Sequence, residues 1–338
     1  MRIAGLQNWS HLGNPGLSRL ITLDEIRQSR KNLPAFIRRT PILPIGGDPA
    51  ETGREGLFVK AENLQVTGAY KPRAAFSILN AVSPKARTAG VVMSSSGNFA
   101  QAFAYAGASM GVPVVVVMPE GTSPYKIDAA RGYGAEVCFC RDTLDRQPTV
   151  ERIARERGMT AVDTWEHPMT VAGHGTLGLE ILEDLPDVEQ VLVPVGSAGL
   201  AAGIATAVKE SRPGVKVIGV QPERANAAYV SLQRGEPVTI DDWDSIADGL
   251  APRRPGDLPF RHIRKYLDGI VLIAEADIAS TFRTLLFRGK VLAEPAGAVA
   301  PAAFLTDKVD TACKTIALVT GGNLTEAVMR KMLEMPEE

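Results

Sequence analysis

The chain has 338 residues, of which 45% are hydrophobic and 22% charged, with a formal net charge of −1. That is long enough for a large buried core, in one domain or two intertwined ones, and the composition is that of a globular protein. Near-neutral charge without a long basic run argues against nucleic acid or an anionic membrane as the main partner.

The opening stretch, MRIAGLQNWSHLGNPG, has no apolar h-region, so no secretory signal is expected. Thr22 with Glu25 predicts a capping box at a helix start. Next comes Lys60-Ala61-Glu62-Asn63-Leu64-Gln65-Val66-Thr67-Gly68-Ala69-Tyr70-Lys71-Pro72-Arg73. A strand runs into a Thr-Gly turn, and Lys71 stands at the mouth of the following helix. The positive end of a helix dipole disfavours the charged form of a nearby amine. A neutral amine can attack an aldehyde, whereas an ammonium cannot. Alone the signal is weak, because a lysine near a helix start is usually a solvated surface residue.

Gly90-Val91-Val92-Met93 reads as a buried strand leading into Ser94-Ser95-Ser96-Gly97-Asn98-Phe99-Ala100-Gln101, which opens a helix over 98–110. Hydroxyls and free amides at a helix start suit a carboxylate or phosphate, although Ser and Asn are equally at home there as caps. Val112 to Met118 is the densest apolar run; it is too short to span a bilayer and reads as a parallel strand. Ser123 before Pro124 predicts an N-cap for a helix over 124–132. A strand follows from Ala135, with Cys138 and Cys140 on one face. With Cys313 they form no CxxC or Cys/His cluster, and they read as small core or surface residues of a cytoplasmic protein.

The strand Gln190 to Pro194 enters Val195-Gly196-Ser197-Ala198-Gly199-Leu200, a small-residue loop before a helix over 198–211. Its amides suit a phosphate, but it lacks a Walker Gly-Lys-Ser. Its glycines fall as GxxGxxxG, and Glu223 stands 20 residues after Gly203, which keeps a nicotinamide-binding oxidoreductase open as a remote alternative. After a strand at 216–220, residues 237–262 read as an irregular excursion, either a cover for a site or a solvated connector. The strand Thr315 to Val319 ends in Thr320-Gly321-Gly322-Asn323, before a last helix over 323–334. Thr320 is a neutral hydroxyl at a strand's carboxyl end, a place that also suits a cap. The histidines His11, His167, His174 and His262 have no zinc spacing, and no metal site is expected.

This alternation predicts an α/β fold with parallel sheets covered on both faces. The chain is expected to cross between two domains near residues 90 and 166. Residues 1–89 and 167–338 would form a large domain, with 90–166 as a small domain inserted in it. Ligands in such folds bind at the carboxyl ends of the parallel strands.

Taken together, the blocks resemble the fold-type II pyridoxal-5'-phosphate (PLP) enzymes, specifically the serine/threonine dehydratase and serine racemase family. Six stretches carry the resemblance in order: Thr67–Arg73, Ser95–Gln101, Val193–Leu200, Ser245–Ala251, Glu294–Ala298 and Thr320–Asn323. Together they cover nearly the whole chain. The resemblance implies two open, twisted, mostly parallel sheets flanked by helices, like the tryptophan synthase β chain, with PLP between the domains. It implies Lys71 as the Schiff-base lysine and general base, and Tyr70 against the cofactor ring. Asn98 would bond the ring hydroxyl, and Thr320 would face the pyridine nitrogen. The backbone of Gly196, Ser197, Ala198, Gly199 and Leu200 would hold the phosphate. Ser95 and Ser96 would take the substrate carboxylate, with Phe99 and Gln101 beside them. Ser96 also matches the opposite-face acid of the racemase.

The activity implied is an ammonia-lyase that dehydrates a β-hydroxy-α-amino acid to an α-keto acid and ammonia, acting as a homodimer. A neutral Thr320 cannot protonate the ring nitrogen, which weakens the electron sink and favours rapid loss of a β-leaving group. Racemase, β-replacement and threonine-synthase-like chemistry are the alternatives within the family. Several positions depart from the family pattern. Phe99 replaces a common His and suits a bulkier substrate such as phenylserine. Ala69 and Ala74 replace the usual Ser and Gly. Ser197 and Ala198 replace glycines, at about 1 kcal/mol if the position needs positive φ. Gln221 and Ala227 stand where racemase-like members place acidic cation ligands, so that cation site is expected to be absent or weakened.

Overall fold

A computed structural model describes residues 19–45, 56–241 and 243–336. His11 and the stretch read for a targeting signal lie outside them. The described strands form two sheets. The larger contains β1 (Ile42–Ile45), β2 (Leu57–Ala61), β7 (Gln190–Pro194), β8 (Lys216–Pro222), β9 (Gly269–Ile273) and β10 (Thr315–Val319). Their spatial order is β1-β2-β10-β7-β8-β9. β1 runs antiparallel to β2, and the other pairings are parallel. The smaller sheet contains β3 (Val91–Ser94), β4 (Val114–Pro119), β5 (Glu136–Cys140) and β6 (Thr160–Val162), in the all-parallel order β5-β4-β3-β6.

Strand periodicity explains the layers. On β7, Val191 and Val193 pack with the helices Pro168–Asp184 and Gly199–Ser211, while Leu192 points to the helices Glu275–Phe287 and Pro295–Leu305. In the smaller sheet, Val91, Met93, Val114 and Val116 meet the helices Pro72–Ala81 and Asn98–Met110. Val92, Val115 and Val117 meet Val150 and Ile153 of the helix Arg146–Arg157. The helix that follows Lys71 is therefore anchored to the smaller sheet, and its preceding strand β2 to the larger one.

The Thr22–Glu25 capping box is present in both directions. Ser123 occupies its cap position, but its hydroxyl accepts no capping bond. β4 starts at Val114 rather than Val112, because the Val112 amide is used by Gly107 O and Pro113 has no N–H. The excursion expected over 237–262 ends early: Asp257–Tyr266 is a helix. Its first amides, from Asp257 and Leu258, donate to the Glu166 carboxylate at 2.5 and 2.9 Å, a cap from far away in sequence.

The parallel registers pair Ala61 with Val319 and Leu192 with Ala317. The segments leaving β2, β7 and β10 therefore emerge at one edge of the larger sheet. Those segments are 62–71, 195–199 and 320–323.

Candidate active site

The lysine segment is tied to the end of β10. Tyr70 N donates to Thr320 O at 3.1 Å, and Gly322 N donates to Gly68 O at 3.0 Å. Gly68 has φ +70°, and a Cβ there would lie 2.4 Å from Asn323 Oδ1, so both conformation and space require glycine. Lys71 directly precedes the helix Pro72–Ala81 and already has helical angles. Its amine lies 4.4 Å from the centroid of the buried Tyr70 ring and 4.2 Å from that of Phe99. Desolvation there pulls the Lys71 amine down to about 7, against an opposing pull from the Glu294 charge. A large share of this amine is neutral at neutral pH.

Four loops meet in one hydrogen-bonded chain. Asn323 Nδ2 donates to Thr67 O at 2.7 Å and to Asn98 Oδ1 at 2.8 Å. Asn98 Nδ2 donates to Glu294 Oε1 at 2.8 Å. Burial, and then the charge of Asp248, push the Glu294 carboxyl up to about 7, while Asn98 and Lys71 oppose the rise. Gly321 is required beside it, since a Cβ there would sit 2.6 Å from Glu294 Oε1. Glu294 is not among the residues that the sequence points to as acting groups. It opens the Glu294–Ala298 block and directly precedes a helix, whose first turn its side chain does not cap.

Ser95, Ser96 and Gly97 leave β3 toward the same edge. Gly97 N donates to Ser95 Oγ at 3.2 Å, and Arg146 Nη2 donates to Ser96 Oγ at 3.0 Å. Arg146 Nε is buried without a hydrogen-bond partner among the described residues, and desolvation lowers the guanidinium's pKa. Nothing in the sequence separates Arg146 from the other arginines around it. Phe99 and Gln101 are buried in the first turn of the helix Asn98–Met110.

After β7, Ala198 adopts φ +75°, ψ −5°, so the glycine replacement does place a side chain in the left-handed region, at about 1–2 kcal/mol. Ser197 is not among the positive-φ residues; its carbonyl accepts from Gly256 N at 3.1 Å. Gly199 and Leu200 begin a 13-residue helix whose first-turn amides have no intrahelical acceptor. Thr320 is buried at the end of β10, and Glu223 is exposed beyond β8. Of the described histidines, His167 and His262 are structural. His167 Nδ1 accepts from Met169 N at 3.1 Å. His262 accepts from Ile21 N at 3.0 Å and bonds Thr206 at 2.8 Å. His174 lies 4.7 Å from Tyr70 and 5.8 Å from Phe99, ring to ring.

The edge thus assembles a weakly basic amine between two aromatic rings, unmatched amide donors at a helix mouth, and a hydroxyl loop beside a guanidinium. Those donors fit a small aldehyde that also carries a phosphoester. Residues 33–321 match the family model for pyridoxal-phosphate dependent enzymes. The chain is 40% identical over 307 residues to L-threonine ammonia-lyase of Thermotoga maritima, covering 90% of this chain and 76% of that one. The crystal structure of T.th. threonine deaminase superposes with a TM-score of 0.84 at 35% identity, covering 90% of this chain and 99% of that one. Serine racemase from Dictyostelium discoideum also gives a TM-score of 0.84, at 31% identity and the same coverage.

Proposed function

The chain belongs to the pyridoxal-phosphate dependent enzymes, and from that premise we propose that it is an ammonia-lyase of the serine/threonine dehydratase type. It converts a β-hydroxy-α-amino acid to an α-keto acid and ammonia. The observation that carries this reading is the Lys71 amine, held between Tyr70 and Phe99 with its basicity lowered to about 7.

PLP, when bound, supplies the electron sink that acidifies the substrate Cα–H. The remaining work falls to the chain. Lys71 Nζ accepts the α-proton as general base, a role that needs the neutral amine and is favoured by the burial that lowers its basicity to about 7. The Ser95–Ser96 loop and the neighbouring amides take the substrate carboxylate, with the Arg146 charge beside Ser96. The amides of Gly196 to Leu200 take the phosphoester. Asn98, fixed by Asn323 and Glu294, would take the ring hydroxyl, and Thr320 would lie toward the ring nitrogen without offering an acidic proton. Tyr70 and Phe99 keep water from the amine.

Phe99 gives the substrate side an apolar wall, which supports a bulkier β-hydroxy amino acid such as phenylserine. Assaying keto acid from serine, threonine, phenylserine and hydroxyaspartate tests the reading; no keto acid from any of them would overturn it. A racemase is the second reading. It is favoured by Ser96, whose oxygen accepts from Arg146 and so leaves its own proton free to donate. Exchange of the α-hydrogen without ammonia release would mark it.

The pH dependence follows from Lys71. Below about pH 7 the amine is protonated and cannot attack an aldehyde. Uptake of PLP by the cofactor-free chain should slow about tenfold for each pH unit below that point and level off above it. Stopped-flow absorbance checks this, and a rate flat across the range contradicts it.

Metal independence is expected as well. Gln221 Nε2 donates to Val195 O at 3.0 Å and to Ala225 O at 3.3 Å, and its Oε1 accepts from Tyr229 N at 2.8 Å. The neutral amide thus uses its hydrogen-bonding atoms on the backbone, and Ala227 has no side-chain ligand while its carbonyl accepts from Ser231 Oγ at 2.7 Å. Turnover after EDTA treatment should match untreated enzyme, with no stimulation by magnesium, calcium or manganese. Among the described residues no helix is long and apolar enough to cross a membrane. The proposed setting is a cytoplasmic homodimer, which light scattering of the purified chain tests as to its size. The proposed division into domains at residues 90 and 166 brackets the strands of the smaller sheet, 91–162, although the helix Pro72–Ala81 before residue 90 packs on that sheet too.

A further inference from the structure

We propose that His174 is a side-chain ligand of the cofactor's phosphate group, donating a ring N–H to it at the mouth of the helix Gly199–Ser211. The inference rests on the reading that the Gly196–Leu200 loop holds that phosphate, and it adds a residue to it.

His174 is 1% exposed, and among the described residues neither of its ring nitrogens has a well-formed hydrogen-bond partner. The other described histidines, His167 and His262, both have partners. A buried ring N–H without an acceptor is costly, and native interiors rarely keep one. Among the described residues only the Gly199 backbone comes near enough to act on the ring, and it does not complete a well-formed hydrogen bond, so the ring has donor capacity left for a bound group.

Its position says which group. A Cβ on Gly199 would lie 3.8 Å from His174 Nδ1, so the imidazole stands at the first turn of that helix. The amides there are also without intrahelical acceptors. The same imidazole packs on Tyr70 and Phe99, the two rings that enclose the Lys71 amine. It spans from the amine cage to the helix mouth. A ligand joined covalently at one end and seated as an anion at the other must pass this ring with its anionic end. A phosphoester offers only acceptors, which match the N–H of a neutral imidazole. Burial, and then the charge of Lys71, hold the ring well below its usual pKa against an opposing pull from the Gly199 backbone, so a neutral ring is what the site presents.

The test uses the full chain stripped of cofactor and titrated with PLP or with pyridoxal, which lacks the phosphate, followed by visible absorbance. His174→Leu should weaken PLP binding about 10- to 100-fold and leave pyridoxal binding unchanged. His174→Gln, which keeps an N–H donor, should recover most of the loss. Equal weakening of both compounds overturns the proposal, since His174 would then act only by packing against the rings; unchanged PLP affinity overturns it too. If the leucine variant does not fold, proton NMR of the wild-type holoenzyme decides. A slowly exchanging imidazole N–H that is lost in His174→Gln should move when pyridoxal replaces PLP, and its staying put sinks the assignment. Gly199→Val separates the two readings, because its side chain would crowd Thr170 at the helix mouth. If Gly199→Val keeps the preference for PLP over pyridoxal, the phosphate loop itself is misread. If it loses that preference while His174→Leu keeps it, only the role of His174 falls.

Discussion

Replacing Lys71 by alanine is expected to remove keto-acid release down to the assay floor, a loss of at least about four orders of magnitude. A positioned general base contributes ~10²–10⁴ in rate, and the same residue also makes the covalent attachment. Neither role has a substitute nearby. The Lys60 amine is also buried, but it is committed to Thr40 O at 2.7 Å and to the carboxylates of Glu180 and Asp184, each at 3.0 Å. Lys126 is tied to Asp248 at 2.9 Å near the surface. Borohydride reduction of the holoenzyme followed by peptide mapping should place the label on Lys71. Label on Lys60 or Lys126, or full turnover by Lys71→Ala, would sink the assignment of the site. The variant should keep its fold, because the helix Pro72–Ala81 is held by Ala74 to Leu79 in the core and not by the Lys71 side chain.

Much of this site was legible in the sequence because each of its blocks is a local pattern. A strand ends, a few small or polar residues turn, and a helix begins; Ser94–Asn98 and Val195–Gly199 both announce themselves that way. Their convergence was legible too, since parallel strands put their carboxyl ends on one edge. Residues whose meaning comes from distant partners were not. Arg146 matters because it reaches Ser96, 50 positions away, and Glu166 because it caps a helix 91 positions on. Glu294 opens one of the blocks that carry the resemblance without a role of its own there, and only the fold brings Asn98 onto its carboxylate. His174 sits inside an apolar helical run, where a histidine reads as core; only the lack of a well-formed partner for either nitrogen among the described residues sets it apart. The Ala198 strain was half legible. Substitution of a glycine loop raises the question, but only the backbone angles say that Ala198 carries the positive φ and Ser197 does not.

Arg73→Ala is expected to destabilise the protein by about 3–5 kcal/mol, the range for breaking a buried ion pair from one side. Arg73 is fully buried, two positions after Lys71. Its Nε and Nη2 bond the Glu62 carboxylate, both at 2.9 Å. Its Nη1 and Nη2 bond Glu180 at 2.6 and 3.0 Å, and Nη2 also reaches Arg38 O at 3.0 Å. Removing the guanidinium leaves Glu62 with Thr40 Oγ1 as its remaining side-chain donor, at 2.6 Å, in a place water does not reach. Glu180 would keep Lys60, so Glu62 bears most of the penalty. Arg73→Lys should recover only part of it, since an ammonium cannot serve two carboxylates with paired planar donors. Chemical denaturation of the cofactor-free chain reads this directly, and a loss under about 1 kcal/mol would show that the network relaxes or admits water. The same network joins β2, the Lys71 helix and the helix Pro168–Asp184, so its loss should also loosen the lysine itself. The pH at which PLP uptake levels off should then move from about 7 toward the ordinary lysine range as water reaches the amine. A destabilised Arg73→Lys variant with an unmoved profile would confine the network to stability and deny it any part in tuning Lys71.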